Sequence, residues 1–546
     1  MRVYMSENWG MKAYLKGVAL LTIAALFVKV LSVVYRVPFQ NLVGDHGFYI
    51  YQQIYPFVAI FVIWTSSGLA VAISKILADL GQDQRQYEKN AIVHILFLFL
   101  LALSIICFAI LFFGAATFAH WMGDPKLADL LRLGSFVVFS MPALAVYKGL
   151  FQSAGIMRPV AYVQMVEQIV RVAIILGGTW IILSTTGSLY DAGKMALAGT
   201  VVGEFAGILL LMIFIKKHTS LKIKMTPIEK RTSSAWSIIK KLMVLSISIS
   251  MSSLVLLVFQ LIDSFTVYST LRKLGISSLQ AMEMKGVYDR GQPLVQVGLV
   301  IASSLSLAIV PLVAQASKKR HGQDAERYIQ LTYRTSLLFG VAAAAGLILV
   351  MPNVNVTLFE TPELSSVLSI FVLQIIWLSL IMTLTAILQG LDQLKIPACL
   401  LVIGVLAKLC LNKFLILHYG IVGAAWAGNL GLFITAIGLI WYFKKEEKMN
   451  LATARFYSGM AFAALAMVFI VLLFTLSVEP LIFTSMDGRM RSLLLCICKA
   501  GIGAFVFVTM LAKMRIVSTR DWYLFPFGRR MAGYQLLLQR KNKKTR

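Results

Sequence analysis

The sequence predicts an all-α integral membrane protein with about fourteen transmembrane helices, and three observations predict it. Hydrophobic residues make up 59% of the 546-residue chain against 14% charged, a balance far outside that of soluble domains. Apolar runs long enough to cross a hydrocarbon core, which takes roughly 20 helical residues, recur almost from end to end. Lipid supplies no hydrogen bonds to a bare backbone, so these runs must be helices and not isolated strands.

In chain order the runs centre near residues 25, 62, 103, 141, 172, 204, 252, 301, 342, 377, 405, 432, 467 and 503, with short polar or Gly/Pro-containing turns between them. The first 16 residues lack a signal-peptide cleavage pattern, so the first run is expected to remain as a membrane helix. The formal net charge of +27 would suggest nucleic acid in a soluble protein, but here the bases concentrate in alternate loops and the tail. Placing both termini in the cytoplasm puts Lys216, Lys217, Lys222, Lys224, Lys230, Arg231, Lys240 and Lys241 inside, together with Lys318, Lys319, Arg320 and the tail's Arg529, Arg530, Arg540, Lys541, Lys543, Lys544 and Arg546. The opposite loops are nearly charge-balanced, and Glu360 and Glu363 have no base close by in sequence. A multi-pass protein of the plasma (inner) membrane follows. Basic loops at a membrane surface also meet anionic lipid, and Trp522, Tyr523, Phe525, Phe527 and Leu536 to Leu538 give the tail an interfacial composition.

An internal repeat divides the chain. Phe151-Gln152-Ser153 precedes Arg158 and Pro159, and Leu388-Gln389-Gly390 precedes Lys395 and Pro397; the glutamines and the bases are each 237 positions apart. The same offset carries Arg171 onto Lys408, both in the middle of an apolar run. Ala198-Gly199-Thr200 resembles Ala427-Gly428-Asn429 at a slightly shorter offset. Six helices per unit run the same way in both copies, so the expectation is a parallel repeat of two lobes around a central cavity. The organisation read from this is an N-terminal lobe over 1–215 (helices one to six), a basic cytoplasmic linker over 216–241, a C-terminal lobe over 242–443 (helices seven to twelve), helices thirteen and fourteen over 444–513, and a basic tail over 514–546.

Charges inside membrane spans are costly, about 2.5 to 3.5 kcal/mol at mid-helix on insertion scales, so each must find a partner, water or a substrate. Lys29, Glu167, Arg171, Glu204, Asp263, Lys408, Lys413 and Lys499 are such residues. Glu167 and Arg171 are one helical turn apart, the spacing of an internal ion pair. Lys499, in the last run, reads as a residue that snorkels to an interface. Lys29 and Arg36 share a stripe on helix one, and Arg290 opens helix eight after Asp289. With Arg171 and Lys408 they make a candidate site for an anionic headgroup, because guanidinium and ammonium groups pair well with phosphate. Asp263 in helix seven, with Asn412 in helix eleven as a further oxygen ligand, could hold a coupling Na+ or proton, or Asp263 could simply neutralise a nearby base such as Lys413.

No Gly-x-x-x-x-Gly-Lys-Ser/Thr loop and no region large enough for an ATPase are present, so transport is expected to run on a gradient or a partner. Histidines and cysteines are scattered without metal spacing, and no nucleophile motif stands out. No cofactor, no metal site, no nucleic-acid partner and no enzymatic activity are therefore expected. Cys107, Cys399, Cys410, Cys496 and Cys498 all fall in apolar runs and read as buried free thiols.

Residues 29 to 44, Lys-Val-Leu-Ser-Val-Val-Tyr-Arg-Val-Pro-Phe-Gln-Asn-Leu-Val-Gly, and 68 to 75, Gly-Leu-Ala-Val-Ala-Ile-Ser-Lys, resemble the first two helices of the polysaccharide transport proteins related to the stage V sporulation protein B. Gly286 to Pro311, closing on Ile-Val-Pro-Leu, resembles helix eight of that family. The resemblance implies the multidrug/oligosaccharidyl-lipid/polysaccharide exporter fold, with relatives that flip lipid-linked sugars including lipid II. It also implies a pyrophosphate role for cations on helix one and at the start of helix eight, which Lys29, Arg36 and Arg290 resemble. Lys29 stands where arginine is more usual, and the spacing to Pro293 differs. The expected activity is flipping of an undecaprenyl-pyrophosphate-linked sugar by alternating access, with the lipid-linked sugar and membrane lipids as partners and cell-wall or polysaccharide synthesis machinery as a further one. Two other readings compete: a cation-coupled multidrug exporter of the same fold, and a non-transporting scaffold for envelope or spore assembly.

Overall fold

A computed structural model describes residue 17 and residues 20–80, 86–218, 235–300, 322–391, 393, 395–482, 488–519, 522 and 528–544. The expected eighth crossing near residue 301, with Lys318, Lys319 and Arg320, lies outside the described residues, as do 219–234 of the basic linker and Tyr523, Phe525 and Phe527. The described secondary structure is helical throughout.

Twelve described segments are long and apolar enough to cross a membrane. The first, Leu20–Ala78, holds 59 residues, about 88 Å at 1.5 Å per residue and far more than one crossing needs. It breaks into helix α1 (20–34), α2 (Arg36–Ile63), a π turn (Trp64–Leu69) and α3 (Ala70–Ala78). Within α2 two helices meet at Gly44, whose φ of 66° and ψ of −175° interrupt the helical path where only glycine is unstrained. Counting that segment as two crossings gives thirteen among the described residues, and the remaining expected run, near residue 301, lies outside them.

Two compact units follow one another along the chain, Met1–Asp289 and Arg290–Arg546. In the first, α4 (Gln86–Phe113), α5 (Ala115–Met122), α6 (Leu127–Ser135) and α7 (Met141–Ser153) precede α8 (Met157–Ala173), α9 (Thr179–Thr185) and α10 (Leu189–Lys217). The long α11 (Ala235–Lys273) packs against α2 and α3, and α12 (Ser278–Asp289) against α2. The second unit comprises α13 (Gly291–Gly298), α14 (Gly322–Phe359), α15 (Ser365–Phe371), α16 (Gln374–Gly390), α17 (Lys395–Tyr419), α18 (Ile421–Lys445), α19 (Ala454–Ser477), α20 (Glu479–Ile482), α21 (Gly488–Lys513) and α22 (Gly528–Lys544). The last two crossings, α19 and α21, pack on one another and on α14.

Side-chain burial differs from that of a soluble protein in leaving large apolar side chains exposed while burying charges. Leu465, Phe469 and Leu476 are 67%, 67% and 76% exposed, while Arg36, Lys148, Arg290 and Lys408 are essentially buried. Apolar surface facing lipid costs nothing, so polar groups collect where helices meet. The cysteines are free, but Cys399 and Cys410 are exposed and the other three half-buried, so the expectation of buried thiols fails; on a lipid-facing surface a small apolar side chain has no need of burial.

Small residues bring the helices close. On α10, Gly199, Gly203 and Gly207 recur every four residues against α8; a methyl added at Gly199 would lie 2.9 Å from the Arg171 carbonyl, and one at Gly203 2.7 Å from the Glu167 carbonyl. The repeated pair in the second unit is built likewise. Gly404 of α17 meets the Gly431 carbonyl of α18, and Gly428, the counterpart of Gly199, faces Gln374 and the Lys408 ammonium.

At the C-terminus, Trp522 is buried and its Nε1 donates to Gln535 Oε1 at 2.7 Å, which ties α22 back to the end of α21; Gln535 Nε2 donates to the Val517 carbonyl at 3.1 Å. Leu536 and Leu537 remain exposed on that helix.

Candidate functional site

The first unit gathers a buried polar cluster from four crossings. Arg36, at the start of α2, is 1% exposed, and its guanidinium lies 4.8 Å over the Tyr55 ring. Tyr35 precedes it, and the Tyr35 and Tyr51 hydroxyls are 2.9 Å apart across the Gly44 break. Arg36 Nε and Nη1 are buried without a hydrogen-bond partner among the described residues. Arg171 on α8 is drawn to the same place, since Tyr35, Tyr51 and Tyr55 act electrostatically on both guanidiniums. Arg171 Nη2 pairs with Glu204 Oε1 of α10 at 2.7 Å, and its Nε has no hydrogen-bond partner among the described residues. Deeper in the bundle, Lys148 of α7 meets Glu167 Oε1 and Oε2 at 2.8 and 2.9 Å and donates to Ser66 Oγ at 3.2 Å.

The internal Glu167–Arg171 pair expected from the four-residue spacing is not formed. Each residue turns to a different helix, because the glycines of α10 let Glu204 reach Arg171 while α7 delivers Lys148 to Glu167. Cross-helix pairing of this kind satisfies charges that a single helix would leave facing lipid. Arg36, Lys148 and Arg171 against Glu167 and Glu204 leave the cluster with one surplus positive charge. Together with three phenols and unpartnered guanidinium nitrogens, that is an environment for an anion with several acceptor oxygens.

Lys29 is half-buried on α1, in the same unit. Asp263 on α11 is 2% exposed and accepts from the Tyr288 hydroxyl at 3.2 Å; Lys285 pairs with Asp289 at 2.6 Å beside it in sequence. In the second unit, Arg290 is completely buried and donates through Nη1 to Asn355 Oδ1 at 2.8 Å and Thr361 Oγ1 at 2.9 Å, under the Phe359 ring at 5.0 Å. Asn355 is held in turn by the Glu363 carbonyl at 2.8 Å. Lys408 is buried on α17 beside Gly428, and Asn412 is buried one turn further on. Arg36 and Arg171 thus share one cluster, whereas Lys408 and Arg290 have separate surroundings in the second unit.

Sequence reasoning missed Lys148 and the three tyrosines. Lys148 sits beside the Phe151-Gln152-Ser153 motif, so its position in an apolar run was the available signal. Tyr35 lies between α1 and α2 and Tyr51 and Tyr55 lie on α2 beyond Gly44, so they converge only through the Gly44 break. Two further expectations change. Lys499 does not snorkel: it is 5% exposed and pairs with Glu479 at 2.8 Å, with Asn353 Oδ1 at 3.2 Å. Glu360 has a base after all, Arg489, at 2.7 Å, reached from more than a hundred residues away.

A chain whose described residues form helices throughout, with this many apolar crossings, charges turned inward and small-residue helix contacts, is a multi-pass membrane protein. The comparisons give the family. The model of the polysaccharide biosynthesis protein family matches residues 14–317, and the MatE model matches 248–414. The chain belongs to the polysaccharide biosynthesis protein family, within the multidrug/oligosaccharidyl-lipid/polysaccharide exporter superfamily. It is 34% identical over 532 residues to the uncharacterized membrane protein YabM of Bacillus subtilis (strain 168), covering 97% of this chain and 98% of that one. It is 23% identical over 511 residues to the lipid II flippase MurJ of the same organism, covering 90% and 94%. Among solved structures, an inward closed conformation of the lipid II flippase MurJ superposes with a TM-score of 0.66 at 16% identity, over 90% of this chain and 98% of that one. An inward-facing multidrug resistance MATE transporter superposes at 0.61 and 15%, over 80% and 100%.

Proposed function

We propose that this transporter flips an undecaprenyl-pyrophosphate-linked sugar across the plasma membrane by alternating access, with the Arg36–Arg171 cluster receiving the pyrophosphate. The observation that carries the reading is Arg36: a guanidinium only 1% exposed, with two nitrogens that have no hydrogen-bond partner among the described residues, beside a second guanidinium whose Nε likewise has none among them. A buried charge with donor capacity to spare is costly unless something fills it during the working cycle. Lys29, Arg290 and Lys408 are assigned to the same anion as it moves, and Asp263 and Asn412 to a coupling Na+ or proton. Both termini face the cytoplasm on the distribution of basic loops. The two-lobe organisation by repeat, 1–215 and 242–443 with helices thirteen and fourteen added, belongs to the same reading, as does contact with cell-wall or polysaccharide synthesis machinery.

A cation-coupled drug exporter would present carboxylates to its cargo. Here Glu167 and Glu204 are each tied to a base, which favours an anionic substrate. The test is outer-leaflet accessibility of lipid II and other lipid-linked sugars in cells depleted of other flippases, with intact protein and Arg36→Ala at matched membrane abundance. Outward exposure with the intact chain and its loss in the variant are expected. Failure of the intact chain with every lipid-linked sugar overturns the reading.

A further inference from the structure

Glu204 occupies the place that an arriving anion would need. Its Oε1 holds Arg171 Nη2 at 2.7 Å, its Oε2 is buried with no hydrogen-bond partner among the described residues, and the residue is 1% exposed. Glu167, the other carboxylate of the cluster, is within electrostatic reach of Glu204 and of Arg171. Glu167 has its own base in Lys148, whereas Arg171 is the base that Glu204 depends on. An anion that engages Arg171 therefore removes the only cation paired with Glu204 among the described residues, and leaves a buried carboxylate next to another carboxylate and to the incoming negative charge. Buried carboxylates in that situation do not stay ionised; two like charges at one site raise the proton affinity of one of them.

We propose that Glu204 is a proton-coupling residue of this transporter, in addition to the ion role assigned to Asp263 and Asn412: it holds Arg171 while the site is empty, and on binding of a pyrophosphate headgroup it gives up Arg171 and takes up one proton from the buffered aqueous phase. The proposal rests on the reading of the Arg36–Arg171 cluster as a headgroup site and adds its coupling. Charge bookkeeping is simple. The carboxylate gains one proton, so the pair of events brings in the anion together with one compensating positive charge, and release of the headgroup returns the proton. The groups facing Glu204 are Arg171 and Glu167 from α8, Lys148 from α7 behind Glu167, and Arg36, Tyr51 and Tyr55 from α2 with Tyr35 before it, around Arg171. Among these, Lys148 is committed to Glu167 at 2.8 Å, so Glu204 is the carboxylate set free by the exchange. Gly203 next to Glu204 and Gly207 about one turn further on keep α10 against α8 and hold this geometry without bulky side chains.

The experiment is titration calorimetry of the purified full chain in lipid nanodiscs with farnesyl pyrophosphate, in buffers of different ionisation enthalpy, for the intact protein and Glu204→Gln. The probe's own protonation is common to both proteins and drops out of the difference. The intact protein is expected to take up about one more proton per probe bound than the variant does, and the variant to bind roughly tenfold more tightly near neutral pH, since nothing competes for Arg171. Tight binding with no difference in proton uptake overturns Glu204 coupling and leaves the headgroup site standing. No binding by the intact protein overturns both. Should Glu204→Gln not fold, infrared difference spectra of the intact protein decide the matter: a protonated-carboxyl band must grow as the probe binds, and its absence overturns the proposal.

Discussion

The buried arginines of the two units are held in different ways. In the first unit Lys148 and Arg171 are matched by carboxylates, and Arg36 keeps unpartnered nitrogens beside them. In the second, Arg290 is held by an amide oxygen and a hydroxyl. Paired charges can exchange partners, whereas Asn355 and Thr361 fix the Arg290 guanidinium in position without offsetting its charge. The difference separates a cluster whose charges can re-pair from an arginine held in position.

The largest effect should come from removing one half of the deepest pair. Lys148→Met strands Glu167 away from water, and removal of one partner of a buried pair typically costs about 3 to 5 kcal/mol. Thermal unfolding in detergent should show a large drop, and most of it should return in the double variant Lys148→Met/Glu167→Gln. If the double variant is no more stable than the single one, the pair is not what holds α7 to α8.

Close behind is Gly207→Val. A side chain there meets the Glu167 carboxylate directly and would push α10 from α8, at a cost of about 1 to 3 kcal/mol for overpacking. The same change at Gly533, where a side chain meets open space, should be neutral in the same melt apart from helix propensity, which marks the Gly207 effect as one of contact.

Much of this architecture was legible in the sequence because lipid imposes a strong rule. Every crossing needs a long apolar run, so thirteen of the fourteen expected runs fall on described helices, and the 237-residue offset that pairs Arg171 with Lys408 corresponds to similarly packed helix pairs. The pairing of charges was far less legible. Four-residue spacing makes Glu167–Arg171 possible but says nothing of whether a neighbouring helix offers a better partner, and here Gly203 and Gly207 let one do so. Glu360 with Arg489 and Lys499 with Glu479 repeat the lesson on a smaller scale: sequence distance hides partners that packing brings within 3 Å. Tyr35, Tyr51 and Tyr55 were invisible as a group because they assemble only when the chain turns at Gly44.

The comparison of the two arginines sharpens the functional division. Arg290→Ala leaves Asn355 Oδ1 and Thr361 Oγ1 without the buried donor they share, and charged hydrogen bonds of this kind are worth about 1.5 to 3 kcal/mol, so a clear fall in unfolding temperature is expected. Arg36→Ala gives up its stacking on Tyr55 and the cost of burying a charge together, so its stability should stay within about 1 kcal/mol of the intact chain while outward exposure of lipid-linked sugar is lost. The reverse pattern, a destabilised Arg36→Ala with transport retained, would move the headgroup site out of this cluster.

The smallest effect should be at Arg489. Its pair with Glu360 is 2.7 Å long, but both side chains are about half exposed, and surface pairs of this sort contribute about 0 to 1 kcal/mol. Arg489 also donates to the Thr357 carbonyl at 2.6 Å and the Leu358 carbonyl at 3.3 Å, contacts that do not depend on Glu360. Glu360→Gln should therefore change the unfolding temperature very little, and the small change it makes should disappear as salt is added. Arg489→Ala should cost more than Glu360→Gln and keep most of that cost in high salt, because what it removes is the clasp of α21 on the last turn of α14. Equal, salt-sensitive losses in both variants would show that the exposed ion pair, and not the carbonyl contacts, holds these two helix ends together.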